Sequence, residues 1–558
     1  MTGEIWVVLP LICLAAGAFV VYLVARFLTR RNELLAVFTA GIFVAALVAL
    51  ALLHSLVSAD RPLTWGRFGS GGAFLRADPG ALVIAGVALG LGFLVVIYSG
   101  RYLALDQRYE TYYPLLLLLE TGLVGMLFAA DVFNLYMFCE LMSVTAYTLV
   151  AFRRYTRTAI EAGFKYLVMG SVGTLTILMG ISFIYRETGS TALLQGSTAL
   201  LHREPGLWGR VGMACLLVGF GLKCALVPLH TWLPDAHGRA PSSVSAMLSG
   251  VIVQSTFYVL LKVSLGLGLP GRSLGGLLIL LSLLNMLLGT ALALVQTHTK
   301  RLLAYSTISQ MGYLMLTMGV GLRYGVPSAI QAGLFMVLAQ AAMKGLAFLC
   351  KGACHFYLDA TTIDQLRGTA VHMPLVAVAL SVALAGLAGV PPLAGFAGKW
   401  FILRGMLHSS DALGYVGLAV FLLNSLVSLG YYLPLIGTLF VPGSNMSVNF
   451  VWMNKVHWVN RVHWVNKVHT EAEATPSSER SSLGERSSHE VSKVRVSPWM
   501  ALPIVVLGGL VLAVGLYPDP WLTWTAGAAS HLLGWVDEIH WVNEVHTLCP
   551  EFVGVLER

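Results

Sequence analysis

Long apolar runs alternate with short polar stretches along most of the chain. A helix needs about 20 apolar residues to cross the hydrocarbon core of a bilayer, and on this rule the pattern predicts about fourteen transmembrane helices. Their expected positions are 4–27, 34–57, 80–104, 113–130, 132–152, 161–185, 209–229, 242–265, 273–297, 302–322, 327–353, 374–406, 411–441 and 499–517. The pattern is typical of an all-α protein that crosses the membrane many times.

Composition narrows the class of protein further. Of the 558 residues, 57% are hydrophobic and only 11% are charged, whereas soluble proteins carry about 25% charged residues. A soluble domain has too little interior to bury this much apolar side chain. A cytosolic enzyme, a nucleic-acid binder and a disordered scaffold are therefore excluded, and an all-α polytopic membrane protein is expected.

The distribution of arginine and lysine predicts the orientation, because cytoplasmic loops are expected to be basic. Basic residues follow the odd-numbered spans one, three, five and nine: Arg30, Arg31, Arg101, Arg108, Arg153, Arg154, Arg157, Lys300 and Arg301. Both termini should then face outward, although the loop after span six (Arg186, Arg203, Arg210) points weakly the other way. The net charge of +8 needs no nucleic-acid partner to explain it.

Two of the predicted spans are interrupted by prolines. One break lies at Val227–Asp235, which contains Pro228 and Pro234, and the other at Gly389–Gly395, which contains Pro391 and Pro392. Carbonyls freed by proline are tolerated at membrane depth only beside protein or a water-filled cavity. Either break alone would be explained by an ordinary kink. A pair of broken helices, one in each half of the chain, indicates a transporter built from two repeats.

Four ionisable residues remain deep inside predicted spans: Glu140, Lys223, Lys344 and Lys399. Such residues are costly in a membrane and by default mark an ion or proton path. A structural ion pair would explain one glutamate and one lysine, but not three lysines with a single obvious carboxylate. Burial favours the neutral amine and a nearby carboxylate favours the ammonium, so a moving carboxylate can load or unload a lysine. The four residues are predicted to form a proton relay.

Further candidates for the relay rest on weaker patterns. Glu120 lies in span four and is a candidate second carboxylate. His230 and His237 flank the first break, where passing protons and capping the broken helix explain them equally well. Lys165 and Lys262 lie near span ends, where snorkelling of the ammonium to the membrane surface is expected.

The residues resemble a known family, the antiporter-like membrane subunits shared by respiratory complex I, Mrp-type cation/proton antiporters and membrane-bound hydrogenases. The similarity runs from about residue 80 to 440. The most specific motifs are Asp131–Asn134 leading to Glu140, Lys223 followed by Pro228–Ala236, Lys300–Ser306, Ile363–Gly368, and Pro391–Phe396 before Lys399.

The resemblance implies a fold and roles for the candidate residues. It implies two inverted five-helix repeats, each with a broken helix, around a central hydrated axis. Glu140 and Lys223 would form the charge pair of one half-channel, with Glu140 coupled to the neighbouring subunit, while Lys344 and Lys399 would serve the other. The corresponding regions are an N-terminal segment (1–110), a first repeat (111–270) and a second repeat (271–442).

The sequence departs from the family pattern at two positions. The lysine or histidine expected on the axis in span eight is replaced by Gln254, and the histidine four residues before Lys344 is replaced by Gln340. A glutamine can hold a water wire but cannot carry charge. Lys262 lies eight residues after Gln254, about 12 Å along a helix, and is a poor substitute.

The C-terminal region carries a repeat that the family pattern does not explain. A polar insert (443–498) contains three basic hexapeptides, 452–457, 458–463 and 464–469, and two acidic copies, 535–540 and 541–546, follow the last span in the segment 499–558. The five histidines do not suit a metal ion, because on a helix they spiral and on a strand they lie about 20 Å apart. Cys350 and Cys354, which lie beside His355, are expected to pack as small apolar residues. No metal site is predicted.

The function predicted from these observations is proton translocation by a membrane subunit of a multi-subunit redox complex of the NADH–quinone oxidoreductase type. No cofactor is expected in this chain, since it lacks a glycine fingerprint after a strand and cysteines with cluster spacing. The expected partners are other membrane subunits, further antiporter-like ones among them, in an energy-transducing cell membrane. The alternatives are a subunit of a sodium/proton antiporter assembly or membrane-bound hydrogenase, and a non-transporting scaffold.

Overall fold

The computed structural model describes residues 5–28, 31–57, 62–68, 72–104, 106, 108–193, 206–267, 271–441 and 494–537. The hexapeptide copies at 452–469 and 541–546 lie outside the described residues, as does the second half of the copy at 535–540. Most of the predicted insert 443–498 also lies outside them.

The described residues fold mainly into long helices close to the predicted spans. The first half holds α1 (Ile5–Phe27), α2 (Asn32–Leu56), α3 (Pro79–Tyr102), α4 (Tyr109–Phe128), α5 (Val132–Val150), α6 (Arg157–Thr188), α7 (Leu207–Lys223), α8 (Trp232–Arg239) and α9 (Ser242–Gly266). The second half holds α10 (Gly271–Leu294), α11 (Thr299–Tyr324), α12 (Pro327–Leu358), α13 (Pro374–Ala388), α14 (Ala394–Met406), α15 (Ala412–Phe440), α16 (Pro498–Leu516) and α17 (Asp519–Asp537). Short helical turns at Asp364–Leu366 and Thr369–His372 join α12 to α13.

Within the described ranges, eleven helices are long and apolar enough to cross a membrane. The all-α membrane fold is thereby confirmed. The count of fourteen and the region boundaries stay predictions, because three predicted spans fall on elements outside this set. These elements are α7 with α8, the polar helix α11, and α13 with α14.

A short β-hairpin that the sequence did not predict lies between α2 and α3 in this otherwise helical fold. Two short strands, β1 (Leu63–Phe68) and β2 (Gly72–Ala77), pair antiparallel with Trp65 opposite Leu75. A bridge between Leu75 and Ala129 connects the hairpin to the end of α4. Each strand has only six residues, and such short segments give a weak period beside apolar helical runs.

Both predicted breaks are confirmed. The chain leaves the helix over residues 224–231, between α7 and α8, and over residues 389–393, between α13 and α14. Proline lacks a backbone N–H and clashes with the preceding turn, so each proline-containing stretch ends one helix and separates it from the next. Each half of the described chain therefore carries one broken helix.

The helices α9 and α12 lie at the centre of the bundle. Their most apolar segments are wholly buried, whereas only 28% of the corresponding segment of α15 is buried. Helix α17 packs against α3, α9 and α12, and Gln331 Nε2 on α12 donates to the Leu522 carbonyl at 3.1 Å. Polar residues on α9 and α12 are consequently shielded from lipid.

Candidate functional site

Side chains from outside the first break form hydrogen bonds with backbone groups at the break. Asn285 on α10 accepts from the Val227 N–H at 2.7 Å and donates to the Ala225 carbonyl at 3.4 Å. Trp232 at the start of α8 donates from Nε1 to the Leu222 carbonyl at 3.0 Å. The freed backbone groups therefore find partners within the protein, as an interrupted membrane helix requires.

Lys223 is the last residue of α7, directly before this break, and is 4% exposed. Its Nζ donates to Ser143 Oγ at 2.6 Å and to the Tyr147 hydroxyl at 3.0 Å, both on α5. The Tyr147 ring packs edge-on against Tyr166, which stacks on Trp232. The lysine is thus buried against two hydroxyl groups, which can form hydrogen bonds with it both as an ammonium and as a neutral amine.

Glu140 lies on the same stripe of α5, three residues before Ser143 and seven before Tyr147, so the three side chains share one helix face. Its side chain is half-buried. In the described parts of the chain, Lys223 bonds to the two hydroxyls and makes no ion pair with Glu140. The pairing of Glu140 with Lys223 stays a prediction.

Glu120 on α4 is fully buried, and neither of its carboxylate oxygens has a hydrogen-bond partner among the described residues. Gly92 on α3 leaves room for it, since a Cβ there would lie 2.5 Å from Glu120 Oε1. A buried carboxyl group without a partner is costly. Glu120 is therefore a stronger relay candidate than its sequence context indicated.

The centre of α9 is irregular and polar. Residues Leu248–Ile252 form a turn of π-helix, a feature often found at functional sites. Gln254 is fully buried, with Nε2 3.4 Å from the Ser249 carbonyl and no partner for Oε1 in the described structure. The Ser249 and Thr307 hydroxyls lie 2.6 Å apart and connect α9 to α11. Gln254 thus lies in a buried polar region, and its place on a central axis stays a prediction.

Lys344 and Gln340 face α11 in matched positions. Lys344 Nζ donates to Ser306 Oγ at 2.5 Å and to the Leu303 carbonyl at 3.1 Å. One turn away, Gln340 Nε2 donates to Gln310 Oε1 at 2.5 Å. Because α11 and α12 run antiparallel, the pairs Lys344–Ser306 and Gln340–Gln310 lie side by side at one helical turn of separation. Both lysine and glutamine are fully buried.

The same line of polar groups reaches the second break. Gln310 Nε2 lies 3.4 Å from the Leu387 carbonyl at the end of α13. The next carbonyl, that of Ala388, accepts a hydrogen bond of 2.7 Å from Lys399 Nζ on α14. The Lys399 ammonium also lies 5.6 Å from the centre of the Tyr313 ring. Gln310 and Lys399 thus bind neighbouring carbonyls at the end of the broken helix, and Lys344 lies one helical turn from Gln340.

The two histidines differ in burial. His237 in α8 is fully buried, stacks on Phe348 with ring centres 4.9 Å apart, and has no partner for either ring nitrogen in the described structure. His230 is half-buried within the break. His237 is therefore the better placed of the two for a proton path.

The snorkelling prediction is wrong for Lys262. Its side chain is fully buried, lies 3.4 Å from Asp78 Oδ2, and donates to the Leu127 carbonyl at 2.8 Å. The Lys262 side chain stays buried because the Asp78 carboxylate, directly before α3, provides a partner for its charge. Lys165, by contrast, is half exposed and pairs with Glu161 and Asp235.

Several site residues were not among the sequence candidates. The hydroxyl partners of the lysines are ordinary residues in apolar spans, and nothing in the sequence pairs them with a lysine: Ser143, Tyr147 and Ser306. The same holds for Asn285, which binds the backbone of the first break, and for Gln310, which binds Gln340. Lys351 is also buried and donates to the Ala360 carbonyl at 2.7 Å. Lys351 did carry a signal, since it lies seven residues after Lys344 on the same helix face.

Comparison with known proteins places these features in a family. Residues 129–426 match the family described as NADH:quinone oxidoreductase/Mrp antiporter, transmembrane. The chain is 31% identical over 453 residues to NADH-quinone oxidoreductase subunit N of Desulforudis audaxviator, covering 78% of this chain and 87% of the relative. It is 32% identical over 366 residues to F(420)H(2) dehydrogenase subunit N of Methanosarcina mazei, covering 63% of this chain and 72% of the relative.

Solved structures show the same fold. A chain of the Mrp complex from Dietzia sp. DQ12-45-1b superposes with a TM-score of 0.78 at 22% identity, covering 96% of this chain and 99% of that chain. A chain of respiratory complex I from Thermus thermophilus superposes with a TM-score of 0.68 at 25% identity, covering 93% of this chain and 99% of that chain. From these matches, the chain belongs to the NADH:quinone oxidoreductase/Mrp antiporter family of transmembrane subunits.

Proposed function

We propose that this chain is a proton-translocating membrane subunit of a multi-subunit redox complex of the NADH–quinone oxidoreductase type. The observation that carries the proposal is a set of buried polar groups in the second half: Lys344, the hydrogen-bonded pair of Gln340 and Gln310, and Lys399, which binds the carbonyl next to the one that Gln310 approaches. A purely structural role would not require two ammonium groups here, because a buried cation is costly and apolar residues would pack as well.

The proposed mechanism begins at Glu140. Because Glu140 is half-buried at the edge of the fold, a neighbouring subunit can draw its carboxylate toward or away from Lys223. When the carboxylate moves away, the ammonium of Lys223 loses a stabilising charge and releases its proton into the buried polar region. Ser143 and Tyr147 keep the neutral amine hydrogen-bonded in the meantime.

The proton then reaches Lys344 and passes toward Lys399. The neutral glutamines Gln340 and Gln310 order water along this path but carry no charge, so the charge rests on the lysines at each end. Lys399 holds the carbonyl end of α13, and its discharge weakens that hydrogen bond, because a neutral amine is a poorer donor than an ammonium, and opens the path beyond it. Transport by this mechanism is therefore compatible with the two departures from the family pattern, Gln254 and Gln340.

The energy for this cycle comes from partner chains. Relatives at 31% and 32% identity are named as subunits of an NADH-quinone oxidoreductase and of an F(420)H(2) dehydrogenase. We infer that this chain likewise assembles with other membrane subunits in an energy-transducing membrane. Electron transfer takes place in those partners, and this chain contributes the proton path.

The test replaces Lys223 or Glu140 by alanine in the intact complex. Inverted membrane vesicles are supplied with NADH, and proton uptake is followed with a fluorescent pH probe beside NADH oxidation. Both variants should lose the share of proton uptake that depends on this chain, while a Lys165→Ala control, altered at a half-exposed lysine, should behave as wild type. Unchanged uptake in both variants at normal assembly would leave only a scaffold role.

A second candidate, a subunit of a sodium/proton antiporter assembly, is consistent with the matched family description, which names the Mrp antiporter beside NADH:quinone oxidoreductase. The two are separated by purifying the tagged chain from its native membrane in mild detergent and identifying the co-purifying chains by mass spectrometry. Flavin, iron–sulfur and quinone-site subunits support the redox complex. Small hydrophobic antiporter-type subunits without them support the exchanger, and sodium dependence of transport would then be measured.

A further inference from the structure

A second buried ion pair lies outside the relay described above. Asp78 precedes α3 and Lys262 lies near the end of α9, and both side chains are fully buried. Lys262 Nζ is 3.4 Å from Asp78 Oδ2 and donates to the Leu127 carbonyl at 2.8 Å. Asp78 Oδ1 accepts from the Tyr258 hydroxyl at 2.7 Å and from the Ala81 N–H at 2.9 Å.

The pair is the end of a polar stripe on a buried helix. Gln254, Tyr258 and Lys262 follow each other at intervals of four residues, so they lie on one face of α9. Ser255 lies on the adjoining row and its hydroxyl has no partner among the described residues. Gln254 Oε1 has none either. A wholly buried helix with unpaired polar atoms along one face is expected to be lined by water.

The stripe runs from the axis to one face of the bundle. Gln254 and Lys262 are eight residues apart, about 12 Å along the helix. At the Lys262 end, α4 ends, α3 begins and the hairpin lies between them. Arg76 on β2 and His531 on α17 lie there as well, with Nη2 and Nε2 3.4 Å apart. The distribution of basic loops predicts this face to be the outer one.

A purely structural role does not explain the pair well. Burying two charges costs more in desolvation than most ion pairs return, and apolar residues of similar size would often be as stable. The pair also lies on the helix whose axis position is the uncharged Gln254. The charge that is absent from the axis is thus present two turns further along the same face.

We propose that Lys262 and Asp78 form a proton-transfer pair on an outward branch that leaves the central axis at Gln254. As a neutral amine, Lys262 takes up a proton that reaches it through water along the stripe from Gln254, and becomes an ammonium. It passes one proton to the Asp78 carboxylate, which leaves a neutral amine and a carboxylic acid. Asp78 then releases the proton toward the face that carries Arg76 and His531, and the carboxylate is restored. This inference rests on the proposed function.

The decisive variant is Lys262→Arg in the assembled complex, because arginine keeps the charge and the ion pair but does not deprotonate in proteins. The second is the double variant Asp78→Asn with Lys262→Met. It removes both charges together, leaves no unpaired charge, and keeps an acceptor for Tyr258 and Ala81. NADH-driven proton uptake is measured in inverted vesicles, and the amount of assembled complex is measured in the same membranes. Lys165→Arg at the half-exposed lysine is the matched control.

Both variants are expected to lower proton uptake to the level of Lys223→Ala, with wild-type amounts of complex and an unchanged control. Wild-type uptake in either variant, at normal assembly, would overturn the proposal and make the pair structural. If one variant fails to assemble, the other decides the question. Failure of the proposed function is recognised separately, since Lys223→Ala would then leave uptake unchanged in the same vesicles.

Discussion

The two halves of the molecule place lysines at corresponding breaks but treat acidic residues differently. The first half buries Glu120 inside α4 and holds Glu140 at half burial on α5. Residues 271–442 contain no glutamate, and their aspartates Asp359, Asp364 and Asp411 lie between helices. The first half therefore combines lysines with acids inside the membrane, and the second half has lysines alone.

This difference indicates that the two halves have different roles in proton transfer. In the second half the ammonium groups of Lys344 and Lys399 bind carbonyl and hydroxyl oxygens. Neutral oxygens let a lysine discharge without leaving an unpaired carboxylate in the membrane. In the first half Lys223 also binds hydroxyl oxygens, and under the proposed mechanism the position of the Glu140 carboxylate would set its charge. The first half is suited to switching and the second to passing the proton on.

The largest expected effect comes from Lys399→Met, compared with Lys223→Met. Both variants should abolish the proton uptake that depends on this chain. Only Lys399→Met should also destabilise the fold strongly, because the Ala388 carbonyl loses its partner, at a cost of about 1–3 kcal/mol. The hydroxyls that bind Lys223 can rotate to new partners. Uptake in vesicles and the thermal midpoint of the solubilised complex measure the two effects.

Lys399→Arg separates the two roles of that lysine. Arginine restores a donor for the Ala388 carbonyl but cannot discharge. The thermal midpoint should return toward wild type while uptake stays absent. Equal loss of stability in Lys223→Met and Lys399→Met would contradict the distinction drawn between the two breaks.

A second prediction concerns a variant in which a lysine of the second half gains a neighbouring carboxylate, so that the second half resembles the first. Ser306→Asp places a carboxylate at the position whose hydroxyl lies 2.5 Å from Lys344 Nζ. An adjacent opposite charge lowers the fraction of neutral amine about tenfold or more, so proton release from Lys344 and steady-state uptake should slow by about the same factor. The rate is measured from the initial slope of the pH-probe signal. Ser306→Asn, which adds similar volume without charge, is the control, and equal slowing in both variants would rule out the electrostatic explanation.

A third prediction compares two aspartate clamps that connect helices outside the membrane. In the first half, Asp106 accepts from Arg153 Nε and Nη2, both at 2.8 Å, and from the Tyr155 hydroxyl at 2.9 Å. Its side chain is 5% exposed. Asp106→Asn should lower the free energy of unfolding by about 2 kcal/mol, because hydrogen bonds between charged groups contribute about that much when shielded from water. The midpoint of denaturant-induced unfolding in detergent checks this.

The control for this clamp is Asp364→Asn, in an exposed aspartate paired with Arg367 three residues later. Exposed pairs of this kind contribute about 0–1 kcal/mol. A loss in Asp106→Asn no greater than in the control would show that burial of the clamp does not matter.

Much of this fold follows from the sequence, because apolar runs and proline breaks are local signals. The helix bounds and both breaks lie within a few residues of the predicted spans. The β1–β2 hairpin was missed since its strands are short and carry no apolar run. The burial of Lys262 was missed for a different reason. Its partner Asp78 lies 184 residues earlier in the chain, and no local pattern joins the two.

The candidate site was predictable only in part for the same physical reason. A lysine inside an apolar span stands out by its cost, so Lys223, Lys344 and Lys399 were identified at once. Their partners Ser143, Ser306 and the Ala388 carbonyl carry no such cost and become visible only when helices pack. What a buried charge binds is a property of tertiary structure, whereas its presence is a property of sequence.

The smallest expected effect concerns the clamp of the second half, at Asp411 before α15. Arg323 Nη2 donates to Asp411 Oδ2 at 2.5 Å, the Gly414 N–H donates to Oδ1 at 3.0 Å, and the Tyr324 hydroxyl donates to the same carboxylate. The Tyr324 hydroxyl above all, with Gly414 and Arg323, lowers the pKa of Asp411 from 3.8 to about 2. Because this side chain is 33% exposed, Asp411→Asn should cost only about 1 kcal/mol.

The pH dependence of that small effect follows from the sign of the pKa shift. A carboxyl group whose pKa is lowered by folding contributes stability above its ordinary pKa of 3.8, and the contribution is lost as the pH falls toward about 2. The difference in thermal midpoint between wild type and Asp411→Asn should therefore stay constant between about pH 8 and pH 5. A difference that already shrinks within this range would mean that the Asp411 carboxylate is not held by Tyr324 and Arg323, and the two halves would then differ in their clamps as well as in their buried acids.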